Sequence, residues 1–200
     1  MGTAGIVLAA GTSTRMGENK VLLRVGGEAL VRRAVRAALE GGLEPVVVVL
    51  GHEASRVGAE LAGLPCRIVS NPAYASGMNT SLEAGLGALP GETTSAVVLL
   101  ADMPFVDAAM VRSLLVQGGE SDAPLVVSRY GGVMAPPTLY RRSLFAELRH
   151  REGEGRGREV VRLHEAEAAF VDFPPQALLD VDVAEDFERA KARLAGREAR

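Results

Sequence analysis

The sequence lacks several features that would place it in a specialised class of protein. Its 200 residues contain one cysteine, Cys66, which excludes an internal disulfide and a metal site built from cysteines. No run of apolar residues is long enough to span a membrane. The N-terminal segment has no basic residue before its short apolar run and then becomes glycine-rich, which is unlike a signal peptide. We therefore expect a cytoplasmic protein that does not associate with membranes.

The charge and size of the chain exclude further classes. A net charge of −3 has the wrong sign for broad binding to nucleic acid. A hydrophobic fraction of 48% and a charged fraction of 24% are typical of a folded globular protein. This length predicts a single domain over residues 1–200.

Lysine is also scarce. The chain has 22 basic residues, of which only Lys20 and Lys191 are lysines. Lysine carries a compact, mobile point charge, whereas arginine presents a planar fork of donors. Lys191 lies in a charged helical stretch that is typical of a solvated surface, but Lys20 ends a glycine-rich loop. Lys20 is therefore a candidate functional residue.

Apolar runs alternate with amphipathic stretches along most of the chain. This pattern predicts strands over 5–9, 46–50, 66–69, 97–100, 125–128 and 168–173, and helices over 28–40, 53–61, 79–89, 107–116, 141–148 and 183–194. The order predicts an α/β fold of three layers, with helices on both faces of a mostly parallel central sheet. Residues 131–137 and 150–159 are expected to be irregular. Ligands of such folds bind beyond the carboxyl ends of the strands.

The loop after the first predicted strand has residue types that bind phosphate. The small residues of 11–14 allow successive backbone N–H groups to cradle phosphate oxygens. Arg15 and Lys20 add two cations, which suits a triphosphate that is attacked at one phosphorus. The spacing is neither that of a Walker A loop nor that of the dinucleotide motif. The alternative is a flexible turn with solvated charges.

Carboxylates follow two other predicted elements. Asp102 comes directly after an apolar strand, and Mg²⁺ is commonly held by one or two carboxylates together with substrate phosphates. Asp180 and Asp182 lie on one face of an extended segment, so either is a candidate second ligand. From spacing alone, a role for Asp182 as the N-cap of the helix near Val183 is slightly preferred.

A loop at residues 71–82 leads into the third predicted helix. It is rich in side chains that bond to a base or a ribose, and a helix N-terminus favours anionic ligands. A turn with capping residues explains the same composition equally well.

Together these segments resemble a known family. LAAGTSTRMGENK (residues 8–20) is similar to the LAAGxSxRMGxxK signature of the MocA-like molybdenum cofactor cytidylyltransferases, within the MobA-like nucleotidyltransferase superfamily. The segments NPAYASGMNTSL, LLADMP and DVDVAEDF are similar to other motifs of the same family. The match is weaker over 135–140 and 153–158, on the acceptor side.

The resemblance implies a Rossmann-like α/β nucleotidyltransferase fold. It also implies the transfer of CMP from CTP to a pterin phosphate, with release of pyrophosphate. It implies that Leu8, Ala9, Ala10 and Gly11 contact the nucleotide. Arg15 and Lys20 would hold the triphosphate and act in catalysis, and Asp102 and Asp182 would bind Mg²⁺. With the loops described above, the candidate nucleotide-binding residues are Leu8, Ala9, Ala10, Gly11, Thr12, Ser13, Arg15, Lys20, Asn71, Gly77 and Ser81.

The resemblance also implies which nucleotide is bound and which part of the chain binds the acceptor, and other functions stay open. Ala10 is similar to the cytidylyl type, since guanylyl-transferring relatives usually have glycine there. The N-terminal half would bind the nucleotide, and residues 130–180 would form the acceptor side. Alternatives are the same chemistry on another acceptor such as a sugar phosphate, a non-catalytic accessory protein of a molybdenum hydroxylase partner, and, more weakly, an oxidoreductase on the same fold.

Overall fold

The computed structural model describes residues 2–12, 17–150 and 155–198, with side chains through residue 194. The strands are β1 (Ala4–Ala9), β2 (Arg24–Val25), β3 (Glu28–Ala29), β4 (Val46–Leu50), β5 (Arg67–Ser70), β6 (Ser95–Leu100), β7 (Leu125–Tyr130), β8 (Val133–Arg141) and β9 (Ala169–Phe173). The helices are α1 (Leu30–Glu40), α2 (Ala54–Glu60), α3 (Met78–Gly87), α4 (Ala108–Glu120), α5 (Phe145–His150), α6 (Arg156–Leu163) and α7 (Ala184–Glu198).

Seven of these strands form one mixed sheet in the order β5-β4-β1-β6-β8-β7-β9. Strand β8 is antiparallel to both of its neighbours, β6 and β7. The other pairings in this sheet are parallel. The carboxyl ends of β1, β4 and β6 therefore meet at one edge. Strands β2 and β3 form a separate antiparallel ribbon.

Helices cover both faces of the sheet, which gives three layers. Helices α1, α2 and α4 pack on one face, and α3, α5 and α6 pack on the other. Strand β4, with the sequence VVVVL, is buried along its whole length, as expected for a parallel strand covered on both sides. The predicted fold class is confirmed. No helix in the described part of the chain is long and apolar enough to cross a membrane.

The prediction that 131–137 is irregular is wrong, because these residues lie at the turn into β8 and in β8 itself. Proline has no N–H group, so two prolines argue against a central strand. Pro136 and Pro137 fall where the register of β7 against β8 shifts, outside the paired positions. The hydroxyl of Tyr130 donates to the carbonyl of Pro136 at 2.8 Å, and the hydroxyl of Ser128 donates to the carbonyl of Pro137 at 2.6 Å. A bulge thus accommodates the prolines inside the sheet.

The prediction that 150–159 is irregular is also wrong in part, because helix α6 begins at Arg156. Its first backbone N–H, that of Arg156, donates to Oδ1 of Asn79 in α3 at 2.9 Å. Val160 and Val161 bury its inner face. The helix is therefore capped and packed by distant parts of the chain rather than by its own sequence.

Close contact between α3 and β1 gives a test of this packing. A Cβ added at Gly85 would lie 2.6 Å from Cγ2 of Ile6. We expect Gly85→Ala to lower the free energy of unfolding by about 1–3 kcal/mol through overpacking. In the same helix, a Cβ at Gly87 would meet no heavy atom of the described residues within 4 Å. Gly87→Ala should stabilise by about 0.4–1 kcal/mol. Equal effects of the two substitutions in chemical denaturation would contradict this packing.

Candidate functional site

The first candidate segment leaves β1 at the carboxyl edge of the sheet. The carbonyl of Leu8 accepts a hydrogen bond from the N–H of Ala101, and the carbonyl of Ala10 accepts one from the N–H of His52, at 3.1 and 3.2 Å. Residues 8–10 are buried between these neighbours. Gly11 and Thr12 are exposed. The segment therefore passes from a rigid base to an accessible loop.

Two of the predicted nucleotide-binding residues cannot be placed at this edge of the sheet. Ser13 and Arg15 lie outside the described residues, and so does Thr14. Their roles in binding a triphosphate stay predictions.

Lys20 lies between the two carboxylates that the sequence singles out as metal ligands. Its Nζ is 2.6 Å from Oδ2 of Asp102 and 2.8 Å from Oδ1 of Asp182. Only 16% of the Lys20 side chain and 17% of the Asp102 side chain are exposed, against 52% for Asp182. The structure thus brings together three predicted residues that are up to 162 positions apart in the sequence. We name Lys20, Asp102 and Asp182 the charged cluster.

A backbone hydrogen bond joins the Asp182 segment to the Asp102 loop. The N–H of Val181, which is fully buried, donates to the carbonyl of Asp102 at 3.0 Å. Residues 180 and 182 consequently flank an anchored apolar residue beside the end of β6. This contact explains why a segment just before the last helix reaches the edge of the sheet.

The side chain of Asp182 does not cap the last helix, which was the alternative role for this residue. Helix α7 begins at Ala184, and Oδ2 of Asp186 accepts from the N–H groups of Asp182 and Val183, at 3.1 and 3.0 Å. The carboxylate near this helix start that bonds the backbone is therefore Asp186. The Asp182 carboxylate instead bonds Lys20.

Electrostatic interactions within this edge are strong. Burial alone would lower the pKa of Lys20, but the carboxylates of Asp102 and Asp182 outweigh it and raise that pKa above its ordinary value. Asp180 is exposed on the surface, yet desolvation by the surrounding protein, followed by the charges of Asp102 and Asp182, raises its pKa to about 6. Among the described residues, negative charge is thus in excess at this edge, and it would stabilise a further cation.

The donor set fits a divalent cation that is shared with phosphates. Oδ1 of Asp102 is buried and has no hydrogen-bond partner among the described residues, so it has acceptor capacity to spare. The same part of the chain holds no group of three or more histidine, cysteine or acidic side chains arranged as a metal site. Mg²⁺ rarely uses such all-protein sites and takes one or two carboxylates with substrate phosphates. Asp102 and Asp182 match that mode of binding.

The loop at 71–82 is held together by its own polar groups. Asn71 is buried, and its Nδ2 donates to the hydroxyls of Thr80 and Ser81, at 2.9 and 3.0 Å. Its Oδ1 accepts from the N–H of Ala73 at 3.0 Å. Gly77 has a φ of +106° and leads into α3. These bonds fix the loop beside the carboxyl edge, and contacts of Asn71, Gly77 and Ser81 with a nucleotide stay predictions.

Sequence reasoning missed a group of residues that meet just after the carboxyl end of β4. Asn19 is 4% exposed, and its Nδ2 donates to the carbonyl of His52 at 3.3 Å. Glu53 has a φ of +51°, in the left-handed region that non-glycine residues rarely adopt. A Cβ added at Gly51 would lie 2.5 Å from Cβ of Tyr74. The sequence could have indicated this group, because residues 51–53 directly follow a predicted parallel strand, at the edge of the sheet where ligands bind.

Comparisons with known proteins place the chain in a family and a fold. The sequence profile described as the MobA-like NTP transferase domain matches residues 5–169. The chain is 32% identical to the bifunctional protein GlmU of Rhodococcus opacus over 148 residues, which is 70% of this chain and 30% of GlmU. The chain thus spans about three tenths of the length of curated relatives such as this one.

Solved structures resemble the whole fold. The crystal structure of Rv0371c from Mycobacterium tuberculosis H37Rv has a TM-score of 0.85 and 26% identity, covering 96% of this chain and 98% of that one. Its complex with manganese has a TM-score of 0.78 at 26% identity, covering 96% of this chain and 99% of that one.

Proposed function

This chain belongs to the family of MobA-like NTP transferase domains, and we propose that it transfers a nucleoside monophosphate from a nucleoside triphosphate to a phosphorylated acceptor, releasing pyrophosphate. The observation that carries this proposal is the charged cluster, at the sheet edge beside the loop that leaves β1. A lysine next to two carboxylates provides both a cation for phosphate oxygens and ligands for a divalent metal. The manganese complex of Rv0371c supports a divalent metal in this fold.

The proposed reaction is an in-line displacement at the α-phosphorus. An oxygen of the acceptor phosphate forms a bond to this phosphorus, and the bond from the α-phosphorus to the bridging oxygen of the β-phosphate breaks. That bridging oxygen leaves with pyrophosphate. Since the acceptor oxygen is already ionised at neutral pH, no strong general base is needed. The protein contributes positioning and neutralisation of charge.

The residues of this chain divide that work. Lys20 and Arg15 neutralise the triphosphate, and residues 8–12 bind the nucleotide through backbone groups. Asp102 and Asp182 would hold Mg²⁺ and orient it on the phosphates. When bound, the metal supplies further charge stabilisation at the phosphate oxygens.

Two acceptors follow from different observations. The motifs of residues 8–20 and 71–82 favour the phosphorylated pterin of molybdenum cofactor biosynthesis. The same displacement would also take another phosphate acceptor such as a sugar phosphate, because it requires only an ionised phosphate oxygen held in line with the α-phosphorus. Incubation of the protein with CTP, Mg²⁺ and each acceptor in turn, with release of pyrophosphate as the readout, decides between them. Release with neither acceptor would remove both assignments.

Ala10 leads us to expect a preference for CTP. Ala10 is buried, and its methyl group would narrow a base pocket relative to a glycine at the same position. CTP with Mg²⁺ should raise the melting temperature more than an equal concentration of GTP or ATP. A ligand at a hundredfold excess over its Kd stabilises by about 2.7 kcal/mol. Ala10→Gly should narrow the difference between CTP and GTP. Equal or greater stabilisation of the native chain by GTP would show that the cytidylyl assignment is wrong.

A further inference from the structure

Lys20 occupies the space between two oxygens that a metal ion would also use. Its ammonium lies 2.6 Å from an oxygen of Asp102 and 2.8 Å from one of Asp182. The two oxygens are therefore no farther apart than the sum of these distances. An ammonium and a divalent cation compete for such a pair, because each needs the same lone pairs and the cations repel each other.

Hydrogen bonds hold the backbone around the charged cluster, and Lys20 reaches the cluster through a long side chain. Asp102 is tied to the Asp182 segment through the N–H of Val181, and Asp186 bonds the backbone at residues 182 and 183. Lys20 is attached at the start of a short 3-10 turn, Lys20–Leu22, whose Val21 is buried. The ammonium ends a flexible four-carbon stem. Rotation about the bonds of this stem would take the ammonium away from the carboxylates and leave the backbone of the cluster in place.

We propose that Lys20 is an internal counter-ion that occupies the metal-binding carboxylates and leaves them for the triphosphate when metal and nucleotide arrive together. This rests on the proposed function. A free metal ion must displace the ammonium without offering it another anionic partner. A metal–triphosphate complex brings its own phosphate oxygens, which accept the ammonium. Lys20 therefore opposes the binding of metal alone and favours the binding of the complex, which couples the two ligands.

The proposal predicts opposite effects of one substitution on two ligands. Lys20→Met keeps most of the side-chain volume and removes the charge. Its affinity for Mn²⁺ alone, measured from the electron paramagnetic resonance signal of free Mn²⁺, should rise by about fivefold or more. Its affinity for CTP with metal should fall. Lys20→Arg keeps a cation on the carboxylates and should gain no affinity for Mn²⁺ alone.

A matched control comes from the second lysine. Lys191 pairs with Glu188 on the exposed face of α7, at 3.0 Å. Lys191→Met should leave the affinity for Mn²⁺ unchanged. Unchanged or weaker binding of Mn²⁺ by a folded Lys20→Met variant would overturn the proposal. Pyrophosphate release by the native chain would still support the proposed function, so the two failures are distinguishable.

A measurement on the native chain covers the case in which Lys20→Met does not fold. Because the chain has two lysines, labelling with ¹³C-lysine gives two sets of side-chain signals, and Lys191→Met assigns them. During titration with Mg²⁺ alone, the Lys20 signal should shift with the midpoint of metal binding, while the Lys191 signal stays constant. Metal binding without a shift of the Lys20 signal would overturn the proposal.

Discussion

Lys20→Ala should reduce the release of pyrophosphate from CTP and its acceptor by about 100-fold or more while leaving the chain folded. The side chain is 16% exposed and its ammonium lies at the sheet edge beside the segment that leaves β1. Removal of a preorganised charge that acts on developing negative charge costs roughly 3 kcal/mol of transition-state stabilisation. The rate should fall in kcat as well as in kcat/KM, since the contact strengthens as pyrophosphate leaves.

Two other substitutions test whether the rate depends on Lys20 itself or on positive charge in general. Lys20→Arg should also be impaired, because a planar fork does not replace a point charge held between two carboxylates. Lys191→Ala removes the other lysine at an exposed ion pair and should retain the native rate. A native rate in Lys20→Ala would rule out a catalytic role for this residue.

Asp102→Asn should lower turnover by about 100-fold or more and weaken its dependence on Mg²⁺. The amide keeps the shape of the side chain but removes the negative charge that attracts a cation. One oxygen of Asp102 bonds Lys20, and the other is buried without a hydrogen-bond partner among the described residues. Rates measured across a range of Mg²⁺ concentrations test this, and the concentration for half-maximal rate should rise.

The neighbouring acids identify the second ligand. Asp182→Asn should resemble Asp102→Asn, because the two carboxylates share one cation in the structure. Asp180→Asn should have the smaller effect. If instead Asp180→Asn reduces the rate and Asp182→Asn does not, the second ligand is Asp180. Native rates in both variants would leave the segment with a structural role only.

Local sequence patterns predict most of the helices and strands in the N-terminal half of the chain. The run Val46–Leu50 is a buried strand with the predicted bounds, because an unbroken β-branched run suits only a strand covered on both faces. The rule that parallel strands end at one edge predicts a functional position for Asp102. The sequence predicts a helix at Glu28 and Ala29, but these residues form β3, since pairing with β2 in a ribbon competes with the helical pattern.

Long-range contacts determine the parts that the sequence did not predict. Spacing could not decide the role of Asp182, because its ion pair with Lys20 spans 162 positions and depends on the bond from Val181 to Asp102. Helix α6 begins in a stretch of glycine and mixed charge, where its cap comes from Asn79. In each case the decisive partner lies far away in the chain, and no local pattern records it.

Nucleotidyl transfer is tested most directly by following both halves of CTP at once. The protein is incubated with CTP labelled at the α-phosphate, Mg²⁺ and a phosphorylated acceptor, and the labelled product and free pyrophosphate are quantified together. We expect one pyrophosphate for each α-label joined to the acceptor, with both signals lost in Lys20→Ala and Asp102→Asn. Release of orthophosphate in place of pyrophosphate, or tight binding of CTP without its consumption in the presence of the pterin and sugar phosphates, would contradict the account.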